Sequence, residues 1–236
     1  MQVGTESHPG RVRKVNEDAF HAGRSLLAVA DGLGGYAAGE VASSLAIETL
    51  AGWQDWDDPQ KALLYAFQKA NHTVWQRATT DEKCAGMGTT LTAAYIKSGM
   101  LFVAHVGDSR LYLCRNGRLK SLTEDHSIVN ELIKGGDLTE AEAQFHPQRN
   151  ILTRALGMGP EVPVDCYRID LQAGDRLLLC TDGLYNMVAE NRIQTMLLSK
   201  ATAKQIAVNL TAAANVEGGL DNITVIVAFI TGEDLV

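Results

Sequence analysis

The stretch Ser25-Leu26-Leu27-Ala28-Val29-Ala30-Asp31-Gly32-Leu33-Gly34-Gly35 joins a short apolar run to a carboxylate and a group of glycines. A bounded apolar run of this length is typical of a buried β-strand. The glycines let the main chain turn tightly and leave it uncovered by side chains. We therefore expect a buried strand that ends at Asp31, with a carboxylate held beside bare main chain.

An aspartate adjoins an apolar run at three other places. Asp108 follows the run 100–106, Asp182 follows the run 176–181, and Asp221 comes shortly before the run 223–230. A single Asp-Gly pair is more often an ordinary turn. Strand ends in packed sheets meet along a common edge, however, so the repetition favours a site built from these four carboxylates.

Four carboxylates at one edge repel each other, and partial burial adds a desolvation cost. Cations remove both penalties, and a ligand set made only of oxygen favours magnesium, manganese or calcium over zinc or copper. None of the stretches matches the calcium loop of an EF-hand. A pair of such metals, about 3.5 to 4 Å apart, makes a bridging hydroxide available near neutral pH and holds a phosphate for in-line attack.

The sequence offers no side chain in the context of a covalent nucleophile. The G-x-S-x-G elbow is absent, and no cysteine lies in a loop beside a basic partner. Arg13 would then bind the non-bridging oxygens of a phosphate, because its forked guanidinium fits them better than an ammonium does. Considered as an isolated residue, Arg13 is more often a solvated surface charge.

Length and composition limit the remaining choices. The chain has 236 residues, 46% of them hydrophobic, and a formal net charge of -7 with a pI near 5.4. A single domain spanning residues 1–236 is the simplest organisation, and the acidic balance argues against a nucleic-acid partner. No apolar run approaches the roughly 18 residues of a membrane span. The N-terminus lacks a signal peptide, and the scattered cysteines are best explained as free thiols in a reducing cytoplasm.

Hydrophobic spacing and cap residues predict the order of the elements. Strands are expected at residues 18–22, 25–31, 88–96, 100–106, 111–115, 118–122, 162–170, 176–181 and 223–230. Helices are expected at residues 37–50, after Asp58, and at residues 125–134, 190–199 and 203–215. The pair Asn116-Gly117 is a strong hairpin signal. Residues 135–152, in which Thr139 and Glu142 have capping-box spacing, are expected to form a mobile excursion.

Eight segments in order along nearly the whole chain resemble one family, the metal-dependent serine/threonine protein phosphatases of the PPM or type 2C family, in their compact bacterial form. Each segment alone is a weak signal, and the eight together are very specific. The segments are Gly10-Arg11-Val12-Arg13 with Asn16-Glu17-Asp18, Asp31-Gly32-Leu33-Gly34-Gly35 with Gly39-Glu40-Val41-Ala42, Gly88-Thr89-Thr90-Leu91, Val106-Gly107-Asp108-Ser109-Arg110, Thr123-Glu124-Asp125-His126-Ser127, Arg154-Ala155-Leu156-Gly157, Thr181-Asp182-Gly183-Leu184 and Asp221-Asn222-Ile223-Thr224.

The resemblance implies an α+β fold in which two antiparallel β-sheets form a central sandwich flanked by α-helices, in four layers. It implies two or three divalent ions, Mn2+ or Mg2+. By carry-over, Asp18 and the Gly32 carbonyl bind the first metal, and Asp31 bridges the first and second. Asp182 and Asp221 hold the second metal.

The remaining roles also follow from the resemblance. Asp108 would bind a weaker third metal together with Asp182, Arg13 would bind the substrate phosphate, and Glu17 would orient metal-bound water. Residues 135–152 fall where the family carries its variable flap beside the active site. The implied activity is hydrolysis of phosphoserine and phosphothreonine in proteins, reversing a eukaryotic-like Ser/Thr kinase, and we expect a monomer.

The sequence departs from the family pattern at three positions. His8 stands where many members have Asp, Tyr36 where bacterial members often have His, and Leu33 where some eukaryotic members place a general-acid His. None of these changes removes a metal ligand. Because Leu33 stands in place of the general-acid His, the donor of the leaving-group proton stays unassigned.

Three alternatives remain open at this point. The same catalytic residues would serve a phosphatase of a phosphorylated anti-anti-sigma regulator, so the sequence does not separate the two substrates. A catalytically dead binding module is disfavoured because none of the five aspartates is missing. A metal-dependent nuclease or a calcium-binding protein is disfavoured because the chain is acidic and lacks a basic stripe.

Overall fold

The structure is a computed structural model that describes residues 1–34, 38–53, 57–143 and 145–235. Gly35 and Tyr36, which the sequence motifs include, lie outside these residues. The strands are β1 (Gln2–His8), β2 (Asp18–Ala22), β3 (Leu26–Leu33), β4 (Gly88–Thr89), β5 (Leu91–Lys97), β6 (Met100–Val106), β7 (Arg110–Arg115), β8 (Arg118–Ser121), β9 (Asp165–Asp170), β10 (Arg176–Cys180) and β11 (Ile223–Phe229). The α-helices are α1 (Gly39–Ala51), α2 (Pro59–Thr80), α3 (Ile128–Gly135), α4 (Glu140–Ala143), α5 (Asp182–Tyr185), α6 (Glu190–Leu197) and α7 (Ala203–Val216).

The strands form two antiparallel sheets. The first has the order β1-β11-β10-β7-β8, and the second has the order β2-β3-β5-β6-β9, with β4 paired to β3. Side chains alternate between the two faces of each strand. Leu27 and Val29 of β3 accordingly join Leu177 and Leu179 of β10 in one buried cluster between the sheets.

The outer faces of the sheets are covered by helices. Ala28 and Ala30 of β3 share a second buried cluster with Phe67 of α2. Leu178 of β10 shares a third with Leu210 of α7. Three apolar clusters between four layers match the predicted two-sheet sandwich, which is confirmed. None of the helices in the described part of the chain has the length and apolarity required to cross a bilayer.

Several local predictions are confirmed. The Asp58 side chain accepts a hydrogen bond from the Lys61 N–H, and Pro59 occupies the first turn of α2. Asn116 and Gly117 have φ values of 51° and 76° between β7 and β8, the positive φ that this type of hairpin requires. In the flap, Thr139 and Glu142 form the predicted capping box before and within α4, with the Thr139 N–H bonded to Glu142 Oε2 at 2.9 Å.

Other predicted boundaries were wrong. Asp31 lies inside β3 and does not end it, because β3 continues to Leu33 and pairs there with β4. The strand predicted at 88–96 is divided at Thr90 into β4 and β5. The helix predicted from residue 125 begins only at Ile128, after Ser127 caps it by accepting a hydrogen bond from the Asn130 N–H. The strand predicted from residue 162 begins at Asp165.

Strand β1 was not predicted at all. Its residues pair with β11 over the full register from Gln2 opposite Phe229 to His8 opposite Ile223. Gly4 is its one buried residue, and a Cβ there would lie 2.1 Å from the Lys204 nitrogen of α7. The strand is therefore held by its partner strand and a closely packed helix, and its own sequence carries almost no hydrophobic signal.

Candidate metal centre

Asp18 and Asp31 face each other across neighbouring strands. They are direct partners in the antiparallel register of β2 and β3, a position in which side chains approach to about 4.5–5.5 Å between Cβ atoms. Like charges placed directly opposite destabilise a sheet. The pairing therefore identifies this end of the second sheet as a place where negative charge is concentrated.

A buried hydroxyl links Asp31 to the loop that carries Asp108. The Asp31 N–H donates to Thr90 Oγ1 at 2.8 Å, and Thr90 Oγ1 lies 2.7 Å from Ser109 Oγ. The Thr90 N–H in turn donates to the Asp31 carbonyl at 2.9 Å. The interruption of the strand at Thr90 thus supplies the hydrogen bonds that fix the main chain of Asp31.

A second hydroxyl joins the two sheets at the cluster. Thr181, directly before Asp182, donates to Asp18 Oδ2 at 2.8 Å. Its Oγ1 also accepts a hydrogen bond from the Thr224 N–H at 3.0 Å. Asp18 of one sheet is therefore held by the turn that begins α5 beyond the other sheet.

The electrostatics show that the five aspartates share one environment. Burial first, and then the charges of Asp18, Asp182, Asp108 and Asp221, raise the pKa of Asp31 well above its usual range. Burial and the neighbouring carboxylates likewise raise the pKa of Asp182 well above its usual range. Burial is also the largest cause for Asp18 and Asp108, and it raises their pKa values to about 7 and about 6. The sequence-predicted aspartates are thus brought together by the fold.

Arg13 extends from the loop before β2 to this cluster. Its Nη2 donates to Asp221 Oδ2 at 2.8 Å, and about half of the Arg13 side chain is exposed. The hydrogen bond to Asp221 and its charge raise the pKa of Arg13. A guanidinium that is anchored on one side and open to solvent on the other can accept a second anion.

Two glycines permit a close approach of α1 to the strand that carries Asp31. A Cβ at Gly32 would lie 2.2 Å from the Gly39 carbonyl and 2.6 Å from the Glu17 carbonyl. A Cβ at Gly39 would lie 2.9 Å from the carboxyl carbon of Glu17. The Glu17 side chain is therefore beside the first residue of α1, and burial is the main cause that raises its pKa.

The donor set fits a divalent cation. Asp18 Oδ1 and Asp182 Oδ1 are buried and have no hydrogen-bond partner among the described residues. A buried anionic oxygen without a partner is costly, and a cation removes that cost. The set contains only oxygen ligands, as magnesium and manganese prefer.

The carboxylates do not form a preformed cage. Within residues 1–34, 38–53, 57–143 and 145–235, no three His, Cys, Asp or Glu side chains are grouped as a metal-binding cluster. Three carboxylate oxygens instead accept hydrogen bonds, Asp18 Oδ2 from Thr181, Asp182 Oδ2 from Asn186 and Asp221 Oδ2 from Arg13. These donors offset part of the negative charge of the carboxylates.

Sequence reasoning missed the residues that support the site, which are Thr90 and Thr181 beside the aspartates and Asn222, whose Oδ1 accepts a hydrogen bond from the Glu17 N–H. Thr90, Thr181 and Asn222 all lie inside the motifs, but their roles depend on partners far away in the chain. Thr181 and Asn222 adjoin Asp182 and Asp221 in the sequence, and Thr90 lies in the motif Gly88-Thr89-Thr90-Leu91. These positions were the available signals.

Comparison with known proteins agrees with this architecture. The profile described as protein phosphatase 2C matches residues 7–217. The serine/threonine phosphatase stp of Listeria monocytogenes is 40% identical over an alignment of 238 positions, which covers 96% of this chain and 94% of that protein. The crystal structure of the Mycobacterium tuberculosis serine/threonine phosphatase PstP/Ppp superposes with a TM-score of 0.92 at 40% identity, covering 98% of each chain. A structure of the PstP catalytic domain in complex with two manganese ions gives a TM-score of 0.91 at 38% identity, again over 98% of each chain.

The family model covers most of the chain, including four of the five aspartates, and the two solved structures each cover 98% of the chain. The chain therefore belongs to the protein phosphatase 2C family.

Proposed function

We propose that this protein is a metal-dependent phosphoprotein phosphatase that hydrolyses phosphoserine and phosphothreonine monoesters. The observation that carries the proposal is the pair of buried, unpartnered oxygens on Asp18 and Asp182, within a cluster of aspartates beside the half-exposed Arg13. Membership of the family and the two manganese ions of the related PstP structure support it.

The proposed ligands are those that the resemblance assigns. Asp18 and the Gly32 carbonyl would hold one ion, Asp31 would bridge two, and Asp182 with Asp221 would hold the second. Asp108 would serve a third and weaker site together with Asp182. When bound, Mn2+ or Mg2+ supplies a hydroxide nucleophile near neutral pH and neutralises charge that develops on the phosphoryl group.

The residues of the chain bind and orient the substrate. Arg13 would hold two non-bridging phosphate oxygens with its fork while Asp221 fixes the opposite side of the guanidinium. Glu17, whose raised pKa follows mainly from burial, would accept a hydrogen bond from water at the metals and orient it. The partly exposed carboxylates leave this end of the sheets open to a phosphorylated side chain.

The finer parts of the proposal concern partners and the flap. We propose that the substrates are proteins phosphorylated by a cognate Ser/Thr kinase in the cytoplasm, and that the phosphatase acts as a monomer. We propose also that the flap, residues 135–152, lies beside the active site and contributes to the choice of substrate. A pull-down of the phosphorylated kinase with the protein, followed by loss of its phosphate, would test the first of these.

The decisive experiment is hydrolysis of a phosphothreonine peptide with manganese, magnesium, calcium or EDTA. We expect turnover with manganese or magnesium, and none with EDTA or with Asp182→Asn. Asp170→Asn is the matched control, because Asp170 is an exposed residue at the end of β9. Folded protein that shows no turnover with any metal, or Asp182→Asn that retains full activity, would contradict the proposal.

A further inference from the structure

His126 lies at the centre of a hydrogen-bond network that the proposed mechanism does not use. Its residue is 6% exposed, and it touches the main chain directly before Asp108. It also adjoins the segment 127–152, which contains the flap. We propose that His126 is a positioning residue for Asp108, which it holds through Gly107 in a conformation competent for the weakest metal site. This inference rests on the proposed function, in which Asp108 is a ligand.

His126 binds both polar groups of Gly107. The Gly107 N–H donates to the ring nitrogen Nδ1 of His126 at 3.0 Å, and the main-chain N–H of His126 donates to the Gly107 carbonyl at 2.8 Å. Because Nδ1 accepts a hydrogen bond, it carries no proton, and the ring proton is on Nε2. Asp165 Oδ2 lies 3.1 Å from Nε2 and accepts from it, which fixes both the tautomer and the ring orientation.

Gly107 has little freedom to move once it is held in this way. Its φ is +109°, and a Cβ would lie 2.5 Å from Thr90 Cγ2. The next carbonyl, that of Asp108, accepts a hydrogen bond from the Tyr185 hydroxyl at 3.0 Å. The main chain of Asp108 is therefore clamped on one side by His126 and on the other by Tyr185.

The same histidine also fixes the base of the segment 127–152. The Thr153 N–H donates to the His126 carbonyl at 2.8 Å, and the Ile128 N–H donates to the Ile151 carbonyl at 3.0 Å. The segment thus leaves and returns at His126. On its outer side, Arg154 Nη1 donates to Asp165 Oδ1 at 2.9 Å and lies 3.3 Å from His126 Nε2, and Asp165 is the acceptor that the two groups share. Burial lowers the pKa of His126, which agrees with a neutral ring.

Two amide variants separate the contacts of the two ring nitrogens. In His126→Asn, the amide oxygen takes the place of Nδ1 and can still accept from Gly107. In His126→Gln, the amide reaches the position of Nε2 and its contact with Asp165, but the acceptor for Gly107 is lost. Manganese binding is measured by titration calorimetry on the full chain, and Asp108→Ala identifies the site that depends on Asp108.

We expect His126→Gln to raise the Kd of the Asp108-dependent manganese site about tenfold, the scale of a lost outer hydrogen bond around a metal ligand. We expect His126→Asn to stay within about twofold of wild type, because the Gly107 hydrogen bond is retained. Any other ranking of the two variants would overturn the proposal. So would equal manganese binding by wild-type protein and Asp108→Ala.

A measurement on wild-type protein covers the case in which a variant does not fold. The imidazole nitrogen chemical shifts of His126 report its tautomer, and we expect a protonated Nε2 with an unprotonated Nδ1 at neutral pH. A proton on Nδ1 would overturn the inference. Because calorimetry and nitrogen shifts do not require turnover, the inference can fail or hold independently of the phosphatase assay.

Discussion

The side chain of Asn222 holds the main chain of Glu17, whose N–H donates to Asn222 Oδ1 at 2.8 Å. The amide nitrogen of Asn222 donates to the carbonyls of Pro9 and Val15 at 3.1 and 2.9 Å. Asn222 is 5% exposed, so these hydrogen bonds are shielded from water. The residue after Asp221 therefore fixes the loop that carries both Arg13 and Glu17.

Asn222→Ala is expected to lower the free energy of unfolding by about 2–4 kcal/mol, because three main-chain groups lose a buried partner. The phosphopeptide KM should rise as well, since Arg13 is no longer held in place. Asn222→Asp keeps the acceptor for Glu17 but directs a carboxylate oxygen at the Pro9 and Val15 carbonyls, so it should be at least as destabilised as Asn222→Ala. Urea denaturation and peptide kinetics measure the two effects, and wild-type values for Asn222→Ala would refute the assignment.

Arg13→Ala should lower kcat/KM for a phosphopeptide about 10-fold to 100-fold, the value of a charge-assisted hydrogen bond to phosphate. Manganese affinity should not fall, because removal of the cation leaves Asp221 free to bind metal. Lys14→Ala removes a neighbouring positive charge and is the matched control, with kinetics close to wild type. A loss of manganese binding in Arg13→Ala that accounts for the whole kinetic defect would contradict the role in phosphate binding.

Manganese should stabilise the protein more at pH 8 than at pH 5. Burial raises the pKa of Asp18 to about 7, so the folded, metal-free protein holds a proton that the unfolded chain releases at lower pH. The stability of the metal-free protein therefore falls as the pH rises from about 4 to about 7, and protons compete with metal at any pH below about 7. At a manganese concentration about 100 times the Kd, Tm at pH 8 should rise by about 5–10 °C.

Differential scanning fluorimetry with and without EDTA provides this measurement. Asp182→Asn, which removes one carboxylate of the cluster, should show a much smaller rise in Tm on addition of manganese at pH 8. Equal shifts at the two pH values in wild-type protein would show that protons and manganese do not compete for this cluster.

The buried His105 leads us to expect a separate loss of folding stability at acid pH. Burial lowers its pKa from the ordinary 6.5 to about 4, and its Nε2 faces the Glu124 carbonyl at 3.0 Å. A lowered pKa in the folded state means that the unfolded chain binds the proton first. The free energy of unfolding is therefore unaffected by protonation of His105 above pH 6.5. It falls by roughly 2–3 kcal/mol as the pH is lowered to about 4.

Urea denaturation of His105→Gln between pH 4 and pH 7 should give a shallower dependence than wild type. His72→Gln is the control, because His72 is exposed on α2, and its pH profile should match that of wild type. An unchanged slope in His105→Gln would assign the acid transition to other groups.

Gly10→Ala should destabilise the protein and weaken activity together. Gly10 has a φ of +80°, and a Cβ there would lie 2.2 Å from the Asp221 carbonyl and 2.6 Å from the Gly219 carbonyl. We expect a loss of about 2–4 kcal/mol from strain and displacement of the loop. Gly117→Ala is the matched control, with a φ of +76° and open space around it, and it should lose only about 1–2 kcal/mol without a change in kcat/KM.

Four of the aspartates were predictable because each adjoins an apolar run, whereas Asp18 was assigned only through the family resemblance. A carboxylate next to an apolar run is visible without knowledge of the partner strand, as at Asp31 and Asp182. The cap of α2 at Asp58 and the hairpin at Asn116 were predictable for the same reason, since their causes lie within a few residues.

The supporting contacts were not predictable because their causes are distant. Thr181 and Asp18 are separated by 163 positions, and Asn222 and Glu17 by 205. Strand β1 escaped prediction because its single buried position is a glycine, and its pairing with β11 is a tertiary fact. Periodicity reports which face of a segment is apolar, and it contains no information about the strand that lies beside it.

The position of β11 between β1 and β10 also has a consequence for biosynthesis. On the ribosome, β1 emerges more than two hundred residues before β11, its neighbour in the first sheet. A growing polypeptide that has not reached Asp221 and Asn222 lacks a carboxylate of the cluster and the clamp on the Arg13 loop. If the proposed roles of Asp221 and Arg13 hold, translation products interrupted before that point would be inactive, and activity would begin only after the polypeptide has passed β11.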